Sequence, residues 1–312
     1  MKKDIILTED LHMAKQELTL KSVDGYELAL ALFEAQNPKA VIQFIHGMEE
    51  HKDRYDAFAE FLSENGYICV TNDLRGHGKN APILSHISDK KGEKLLIEDQ
   101  KEITKLIKKK YPELPIYIFA HSMGTIITRV LLQEEGDQYK KVAMSGYVNP
   151  NPVAGIGGAL VSIITVFKGP KGHSKLINGM AMGPFTKAVE DRKTDLDWLS
   201  YNEDNVQNYI ADPLCGVEFT LGSFHTLMKL LSQMAKPKAF KKVDKEMPIL
   251  LISGDADPCT GGEKGRANSF SVLSKAGYEK IEVITLEHMR HEILNETEKE
   301  KVYKAVLDFY NK

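Results

Sequence analysis

The chain has 312 residues, of which 42% are hydrophobic and 27% are charged, and its formal net charge is −3. This length and composition fit one α/β domain that carries an insertion, and the nearly balanced charge argues against a nucleic-acid partner. Three scattered cysteines are too few for a disulfide framework. The first ten residues have no apolar run before their acidic residues, so we expect no secretory signal and a cytoplasmic protein.

Short apolar runs rich in β-branched and aromatic residues recur along the chain and are typical of buried strands. Helical patterns separate most of them, as in 95–110, where the apolar residues fall on one face. This alternation predicts an α/β fold with a mostly parallel central sheet flanked by helices. It stops after residue 146 and resumes near residue 237, which predicts a mainly helical insertion. The predicted strands are 27–33, 40–46, 66–72, 115–120, 141–145, 248–254 and 280–286.

A polar loop that begins at His46 follows the strand predicted at 40–46. Gly47 lies just past the strand, where a glycine allows a tight turn. The next amide, that of Met48, can therefore point into a site at the strand end and donate to a negatively charged oxygen. We expect His46, His77 and His121 to hold loops around such a site through hydrogen bonds.

The segment Ala120-His121-Ser122-Met123-Gly124 lies between the strand predicted at 115–120 and a helical pattern. It matches the G-x-S-x-G nucleophile elbow, except that alanine takes the place of the first glycine. The strained turn of an elbow exposes the serine hydroxyl, and the small flanking residues let strand and helix approach each other. We therefore expect Ser122 to be a nucleophile and the Met123 amide to be a second oxyanion donor.

A serine nucleophile needs a base and an acid that orients the base. The strand at 248–254 runs into a turn that contains Asp255 and Asp257, and the strand at 280–286 is followed by His288 and His291. Serine, acid and histidine thus follow one another in the order found in α/β-hydrolases. At this level either aspartate and either histidine could serve, and Asp-Ala-Asp-Pro could be only a turn. No H-E-x-x-H motif and no close Cys/His cluster is present, so we expect neither a catalytic metal nor a cofactor.

Taken together, these motifs resemble those of the α/β-hydrolase superfamily, close to its monoacylglycerol lipase and lysophospholipase group, which is also grouped with serine aminopeptidases of the S33 type. The resemblance covers roughly residues 20–146 and 240–312. It is carried by the stretches 46–51, 54–55, 73–78, 120–124, 254–258 and 290–296, with a further match at 209–216.

The resemblance implies an α/β-hydrolase core formed by 1–146 and 237–312, with a cap at 147–236. Its motif register selects Asp257 over Asp255 as the acid and His291 over His288 as the base. The implied site is therefore the triad Ser122, Asp257 and His291, with the Met48 and Met123 amides as the oxyanion hole.

The resemblance also implies the activity, a serine carboxylic-ester hydrolase acting on small single-chain acyl esters such as monoacylglycerols or lysophospholipids. One alternative is an aminopeptidase, in which cap carboxylates would hold the free amine of the substrate. Another is a lipid-binding homologue without catalysis, against which the intact triad argues. The candidate carboxylates are Glu190, Asp191, Asp195, Asp197, Glu203 and Asp204.

The segment 152–167 carries no charge and is followed by Lys168, Lys171, His173 and Lys175. It is shorter than the ~20 apolar residues that span a bilayer. Two interpretations remain open. The segment is either a buried cap helix over an acyl tunnel or an interfacial lid that makes transient contact with a membrane or micelle.

Overall fold

The computed structural model describes residues 15–150 and 154–312 of the chain. An eight-stranded sheet forms its centre, in the order β1-β2-β4-β3-β5-β6-β7-β8. Strands β1 and β2 pair antiparallel, as do β2 and β4, and all other neighbours are parallel. The strands are β1 Gln16–Lys21, β2 Glu27–Phe33, β3 Ala40–Ile45, β4 Tyr67–Asn72, β5 Ile116–His121, β6 Lys141–Ser145, β7 Ile249–Gly254 and β8 Ile281–Leu286.

Helices cover both faces of the sheet, which is why its inner strands are mostly apolar on both faces. Every residue of β3 and β7 is buried. Residues of α2, α3, α7 and α8 belong to the core on one face, and residues of α1 and α9 to the core on the other. The helices are α1 Asp56–Glu64, α2 Gly92–Lys110, α3 Met123–Glu135, α4 Ala154–Lys168, α5 Lys175–Lys187, α6 Glu203–Ala211, α7 Leu221–Met234, α8 Gly262–Ala276 and α9 Lys299–Asn311.

The predicted fold class is confirmed, and each of the seven predicted strands matches an observed one to within about one residue at either end. Strand β1 was not predicted. Five of its six residues are exposed, so its sequence lacks the apolar run that marks a buried strand. None of the helices in the described ranges is long and apolar enough to cross a bilayer. The prediction about a signal concerns residues 1–10, which lie outside the described residues, as do Pro152 and Val153.

Four helices, α4 to α7, lie between β6 and β7, and we call residues 146–248 the β6–β7 segment. The part of this segment that the structure describes contains no strand, as the loss of alternation predicts. Helix α7 packs on α2, α3 and α4, and its Phe224 and Leu230 are fully buried in the same core as α3. Because α7 shares that core, the division of the chain at residues 146 and 237 stays a prediction.

Candidate active site

Ser122 lies on the sharp turn between β5 and α3, with φ 51° and ψ −120°. A non-glycine residue rarely adopts a positive φ, so this turn is strained. Gly124 makes the turn sterically feasible, because a Cβ at this position would lie 2.0 Å from the Ile45 carbonyl oxygen. Ala120 belongs to β5 and is fully buried, so its methyl group is accommodated where the usual motif has glycine. The local geometry is therefore that of a nucleophile elbow.

The structure brings together Ser122, Asp257 and His291 from the ends of three parallel strands. His291 Nε2 lies 2.8 Å from Ser122 Oγ, and His291 Nδ1 lies 3.0 and 3.1 Å from the two carboxylate oxygens of Asp257. The Cys259 amide donates to Asp257 Oδ1 at 2.8 Å and fixes the carboxylate. Asp257 and His291 are each only 2% exposed. The arrangement can remove a proton from the serine hydroxyl and stabilise the resulting imidazolium.

The competing residues lie elsewhere. Asp255 is exposed, and its amide donates to the Leu286 carbonyl at the end of β8. His288 is also exposed and adopts φ 61° in the loop that precedes His291. No hydrogen bond joins Asp255 or His288 to Ser122 in the described part of the chain. Of the four residues left open by the sequence, only His291 bonds to the serine, and only Asp257 bonds to His291.

The charge of Asp257 controls the protonation of His291. Burial alone would lower the pKa of His291, but the adjacent Asp257 carboxylate favours the imidazolium and raises the pKa well above its usual value. The ring of His121 packs on that of His291, with 4.8 Å between centroids. Burial, reinforced by His291, lowers the pKa of His121 to about 3, so His121 is neutral near pH 7 and adds no charge beside His291.

The Met48 and Met123 amides remain free to donate. Across residues 15–150 and 154–312, neither amide donates a hydrogen bond to a protein acceptor. Both methionines line the same cavity as Ser122. Gly47 brings the loop close, because a Cβ there would lie 3.0 Å from the Cβ of Ser122. Two unpaired amides beside a nucleophile are what an oxyanion requires.

A cavity of about 600 Å³ opens beside Ser122 and His291, a size typical of small-molecule sites. Most of its lining is apolar, and half of the lining residues belong to α4, α5, α7 and the stretch 196–199. Representative lining residues are Leu160, Val161, Ile177, Phe185, Leu227 and Met228. A cavity of this kind suits a hydrocarbon chain better than a sugar or a charged peptide.

Carboxylates do line the cavity, but they are not the ones that the sequence suggested. Glu49, Glu50 and Glu292 contribute to the wall near Ser122. Burial raises the pKa of Glu49 to about 7. The six carboxylates proposed for amine binding are not among the lining residues, and five of them are exposed. They are Glu190, Asp191, Asp195, Asp197, Glu203 and Asp204, of which Asp197 is half-buried.

Residues 197–202 are attached to the loop that carries His291. The Glu292 amide donates to the Leu199 carbonyl at 2.7 Å, and Arg290 Nη1 donates to the Asp197 carbonyl at 2.6 Å. The Trp198 ring packs on the His291 ring with 5.2 Å between centroids. One part of the β6–β7 segment therefore contacts His291 directly.

The fold brings together two groups of potential metal-ligating side chains. In each group the histidine is distant in sequence from the other two residues, so the sequence spacing did not reveal the group. Asp257, Cys259 and His291 place one ligand atom each within 4.8 Å of one another, and so do His51, Asp212 and Cys215. In each group the histidine and the carboxylate already bond to each other. Burial raises the pKa of Cys259 to about 11 and that of Cys215 further still, so both thiols are neutral near pH 7. Thiolate, not thiol, is the metal-binding form.

A mostly parallel sheet with a serine elbow after a central strand, and with an acid and a histidine after the last two strands, is the architecture of an α/β-hydrolase. Comparison with known families agrees with this class and identifies a particular family within it. The family model described as "Serine aminopeptidase, S33" matches residues 36–298, and the chain belongs to this family.

The chain is 29% identical to mouse (Mus musculus) monoglyceride lipase over 228 residues, which cover 70% of this chain and 66% of the mouse enzyme, just under two thirds of its length. It is 28% identical to phospholipase YtpA of Bacillus subtilis over 283 residues, or 89% and 97% of the two chains. Among solved structures, a carboxyl esterase from Bacillus coagulans superposes with a TM-score of 0.86 and 24% identity, covering 96% of this chain and 98% of that one. This last similarity concerns the fold.

Proposed function

We propose that this chain is a serine carboxylic-ester hydrolase that acts on single-chain acyl esters such as monoacylglycerols or lysophospholipids. The observation that carries the proposal is the Ser122–His291–Asp257 chain of hydrogen bonds at the wall of an apolar cavity of about 600 Å³. The names of the relatives, a monoglyceride lipase and a phospholipase, support the same substrate class. Core boundaries at 1–146 and 237–312, with 147–236 as a cap over the cavity, belong to the proposal.

The proposed reaction proceeds through an acyl-enzyme. His291 takes the proton of Ser122 as the hydroxyl oxygen attacks the ester carbonyl, and Asp257 stabilises the imidazolium. The Met48 and Met123 amides donate to the oxyanion of the tetrahedral intermediate. The intermediate then expels the alcohol, which takes the proton from His291. Water, activated by His291 in the same way, attacks the acyl-enzyme and releases the fatty acid and Ser122.

The acyl-chain preference tests the proposal. Each buried methylene contributes about 0.8 kcal/mol, so kcat/KM should rise up to about fourfold per added carbon until the cavity is full. The experiment measures turnover of p-nitrophenyl esters from acetyl to palmitoyl, with aminoacyl-anilides assayed in parallel. We expect an optimum at medium or long chains and little anilide hydrolysis. Preference for acetyl would contradict the substrate class, and anilide turnover with little esterase activity would favour an aminopeptidase.

The pH dependence should report the charge of Asp257. The reaction needs neutral His291, so kcat/KM falls as the pH drops through the pKa of His291, which Asp257 raises. Asp257→Asn removes that charge and lowers the pKa. We therefore expect the acid limb of the profile to move to lower pH while the maximal rate falls by about 10⁴-fold.

The matched control for this prediction is Asp255→Asn. Asp255 lies two residues away but is exposed, so its replacement should change neither the acid limb nor the maximal rate. The assignment of Asp257 would be wrong if Asp255→Asn produced the shift, or if Asp257→Asn left the kcat/KM profile at its wild-type position.

We further propose that α4 and α5 contact a lipid surface. Val166 is 81% exposed and Phe167 is 84% exposed, which is unusual for large apolar residues. Ile163, Leu176 and Met180 on the same two helices are also more than half exposed. Exposed lysines lie close by in sequence, and cations attract anionic headgroups to an apolar surface. These lysines are Lys168, Lys171 and Lys175.

We expect the wild-type protein to float with anionic phosphatidylglycerol vesicles at low salt, and the double variant Val166→Ser, Phe167→Ser to float several-fold less. Each replacement by serine removes apolar contact area from the interface, and burial of apolar surface contributes about 25 cal/mol per Å². Val283→Ser, on the exposed side of the edge strand β8, serves as the control and should float like wild type. Absence of co-flotation by the wild type would end the membrane proposal.

A further inference from the structure

The loop that carries the Met48 amide is held by side chains on both sides of Gly47. Glu50 Oε1 accepts the Gly47 N–H at 2.6 Å and the Tyr55 hydroxyl at 2.8 Å. On the other side, His46 Nδ1 lies 2.8 Å from the Gly47 carbonyl oxygen. Glu50 and His46 are 3% and 2% exposed, so both contacts are shielded from water.

The tautomer of His46 follows from its second contact. His46 Nε2 accepts the Leu74 N–H at 2.9 Å, and since an amide nitrogen can only donate, Nε2 carries no proton. The proton of the neutral ring is therefore on Nδ1 and is donated to the Gly47 carbonyl. Burial, together with the nearby His77, lowers the pKa of His46 well below its usual value, so the ring stays neutral in this form.

Because the peptide bond is planar, the contact of His46 with the Gly47 carbonyl also determines the orientation of the next amide. The Gly47 carbonyl and the Met48 N–H belong to one trans peptide plane and point in opposite directions. A hydrogen bond that fixes the carbonyl therefore also fixes the direction of the Met48 N–H. Contact with Ser122 limits the remaining freedom of the loop, because a Cβ at Gly47 would lie 3.0 Å from the Cβ of Ser122.

The same carboxylate connects this loop to the loop of the base. Glu50 Oε2 accepts from Arg54 Nη1 at 3.0 Å, and Arg54 also donates to both oxygens of Glu292 at 2.6 and 2.7 Å. Asn205 Nδ2 donates to Glu292 at 2.7 Å. Burial alone would raise the pKa of Glu292, but Arg54 lowers it to about 2. Glu292 is therefore ionised, and it directly follows His291 in the chain.

We infer that His46 and Glu50 are positioning residues that direct the Met48 amide at the developing oxyanion. Arg54 holds the loop of Met48 in a fixed position relative to the loop of His291. The inference rests on the proposed ester hydrolysis, in which the Met48 amide is a donor. Losing one oxyanion donor costs about 10²- to 10³-fold in kcat, so a displaced amide sets the scale of the expected effect.

The test compares disruptive and conservative variants of both residues. His46→Ala and Glu50→Ala should lower kcat for a medium-chain p-nitrophenyl ester by about 10- to 10³-fold. KM should change little, because the Met48 N–H donates to the oxyanion only in the transition state. An alkylboronic acid, which forms a tetrahedral adduct on a serine, should lose affinity by a similar factor. His46→Asn retains a donor near the position of Nδ1, and Glu50→Gln retains an acceptor for the Gly47 N–H. Both should recover at least about tenfold of the lost kcat.

Asp99→Asn is the matched control. Asp99 accepts two hydrogen bonds from Arg75 at 2.7 Å and is 1% exposed, so it forms a buried ion pair like that of Arg54 and Glu292 but does not bond to Gly47. Its replacement should lower the melting temperature without a selective loss of kcat. If both alanine variants fail to fold, His46→Gln decides, because its carbonyl oxygen can accept the Leu74 N–H near the position of Nε2 while no donor remains for the Gly47 carbonyl. Its kcat should then fall by at least about tenfold at unchanged KM.

The outcomes separate this inference from the proposed function. A wild-type protein that neither hydrolyses esters nor reacts with a fluorophosphonate at Ser122 would remove the proposed function itself. An active wild type whose folded His46→Ala and Glu50→Ala variants keep their kcat would overturn the positioning roles alone. So would a loss of kcat that the boronic acid affinity does not follow, or that His46→Asn and Glu50→Gln fail to rescue.

Discussion

Ser122→Ala is expected to lower kcat for p-nitrophenyl esters by at least about 10⁴-fold and to abolish labelling by a fluorophosphonate. The change removes one oxygen, and the methyl group that remains keeps the strained backbone at φ 51° as it is. His291 Nε2 loses its partner at 2.8 Å, which costs on the order of 1 kcal/mol. We therefore expect a folded protein whose melting temperature stays within a few degrees of wild type.

Ser253→Ala is the matched control for this experiment. Ser253 is a fully buried serine near the end of the parallel strand β7, and it is not hydrogen-bonded to His291 or Asp257. Its replacement should leave kcat and labelling close to wild type. Near-normal ester turnover by Ser122→Ala, measured with protein purified free of host esterases, would refute the assignment of the nucleophile.

Gly124→Ala is expected to destabilise the protein by about 3 kcal/mol and to reduce activity further than stability alone explains. In an ordinary helix interior the change would be favourable by about 1 kcal/mol, because alanine has the higher helix propensity. Here the new Cβ would lie 2.0 Å from the Ile45 carbonyl oxygen and 2.8 Å from that of His46. Both are backbone atoms that a rotamer change cannot move, so the steric cost outweighs the propensity gain.

The measurement for Gly124→Ala is the free energy of unfolding from urea titration, with kcat determined on the folded fraction. Gly179→Ala in α5 provides the contrast, since a Cβ at Gly179 has no atom within 4 Å. For Gly179→Ala we expect only the effect of the higher helix propensity of alanine, which should raise the free energy of unfolding by up to about 1 kcal/mol. Equal stability of Gly124→Ala and wild type would show that strand β3 yields more easily than its burial suggests.

The fold could be predicted from sequence where its physics is local. Buried parallel strands need continuous apolar runs, and β3 through β7 have them, so their positions agree with the prediction. Strand β1 could not be found this way, because it lies at the sheet edge with its side chains in water. Helix α7 falls within the predicted insertion yet contributes Phe224 to the main core, which no periodicity reveals.

Within the site, the order of motifs and strand ends predicted which loops meet at Ser122, and the register of the family motifs then selected Asp257 and His291 within those loops. The ion pair of Arg54 with Glu292 was not predicted, since 238 positions separate the two residues and neither has a pattern that names the other. The carboxylates of the cavity wall were missed for the same reason. The acidic residues of the β6–β7 segment were candidates because of their charge. Five of the six are exposed to solvent, and none of them lines the cavity.

The two attachments of the β6–β7 segment have an evolutionary consequence. Residues 197–202 bond to the loop of His291, so a substitution there disturbs the base as well as the cavity wall. Helices α4 and α5 line the cavity, but no hydrogen bond joins their described residues to the triad side chains. Under the proposed function, mutations in α4 and α5 can therefore accumulate and change the preferred acyl chain without altering the triad. Among homologues, diversity of substrate should concentrate in these two helices, and conservation should extend from the triad into 197–202.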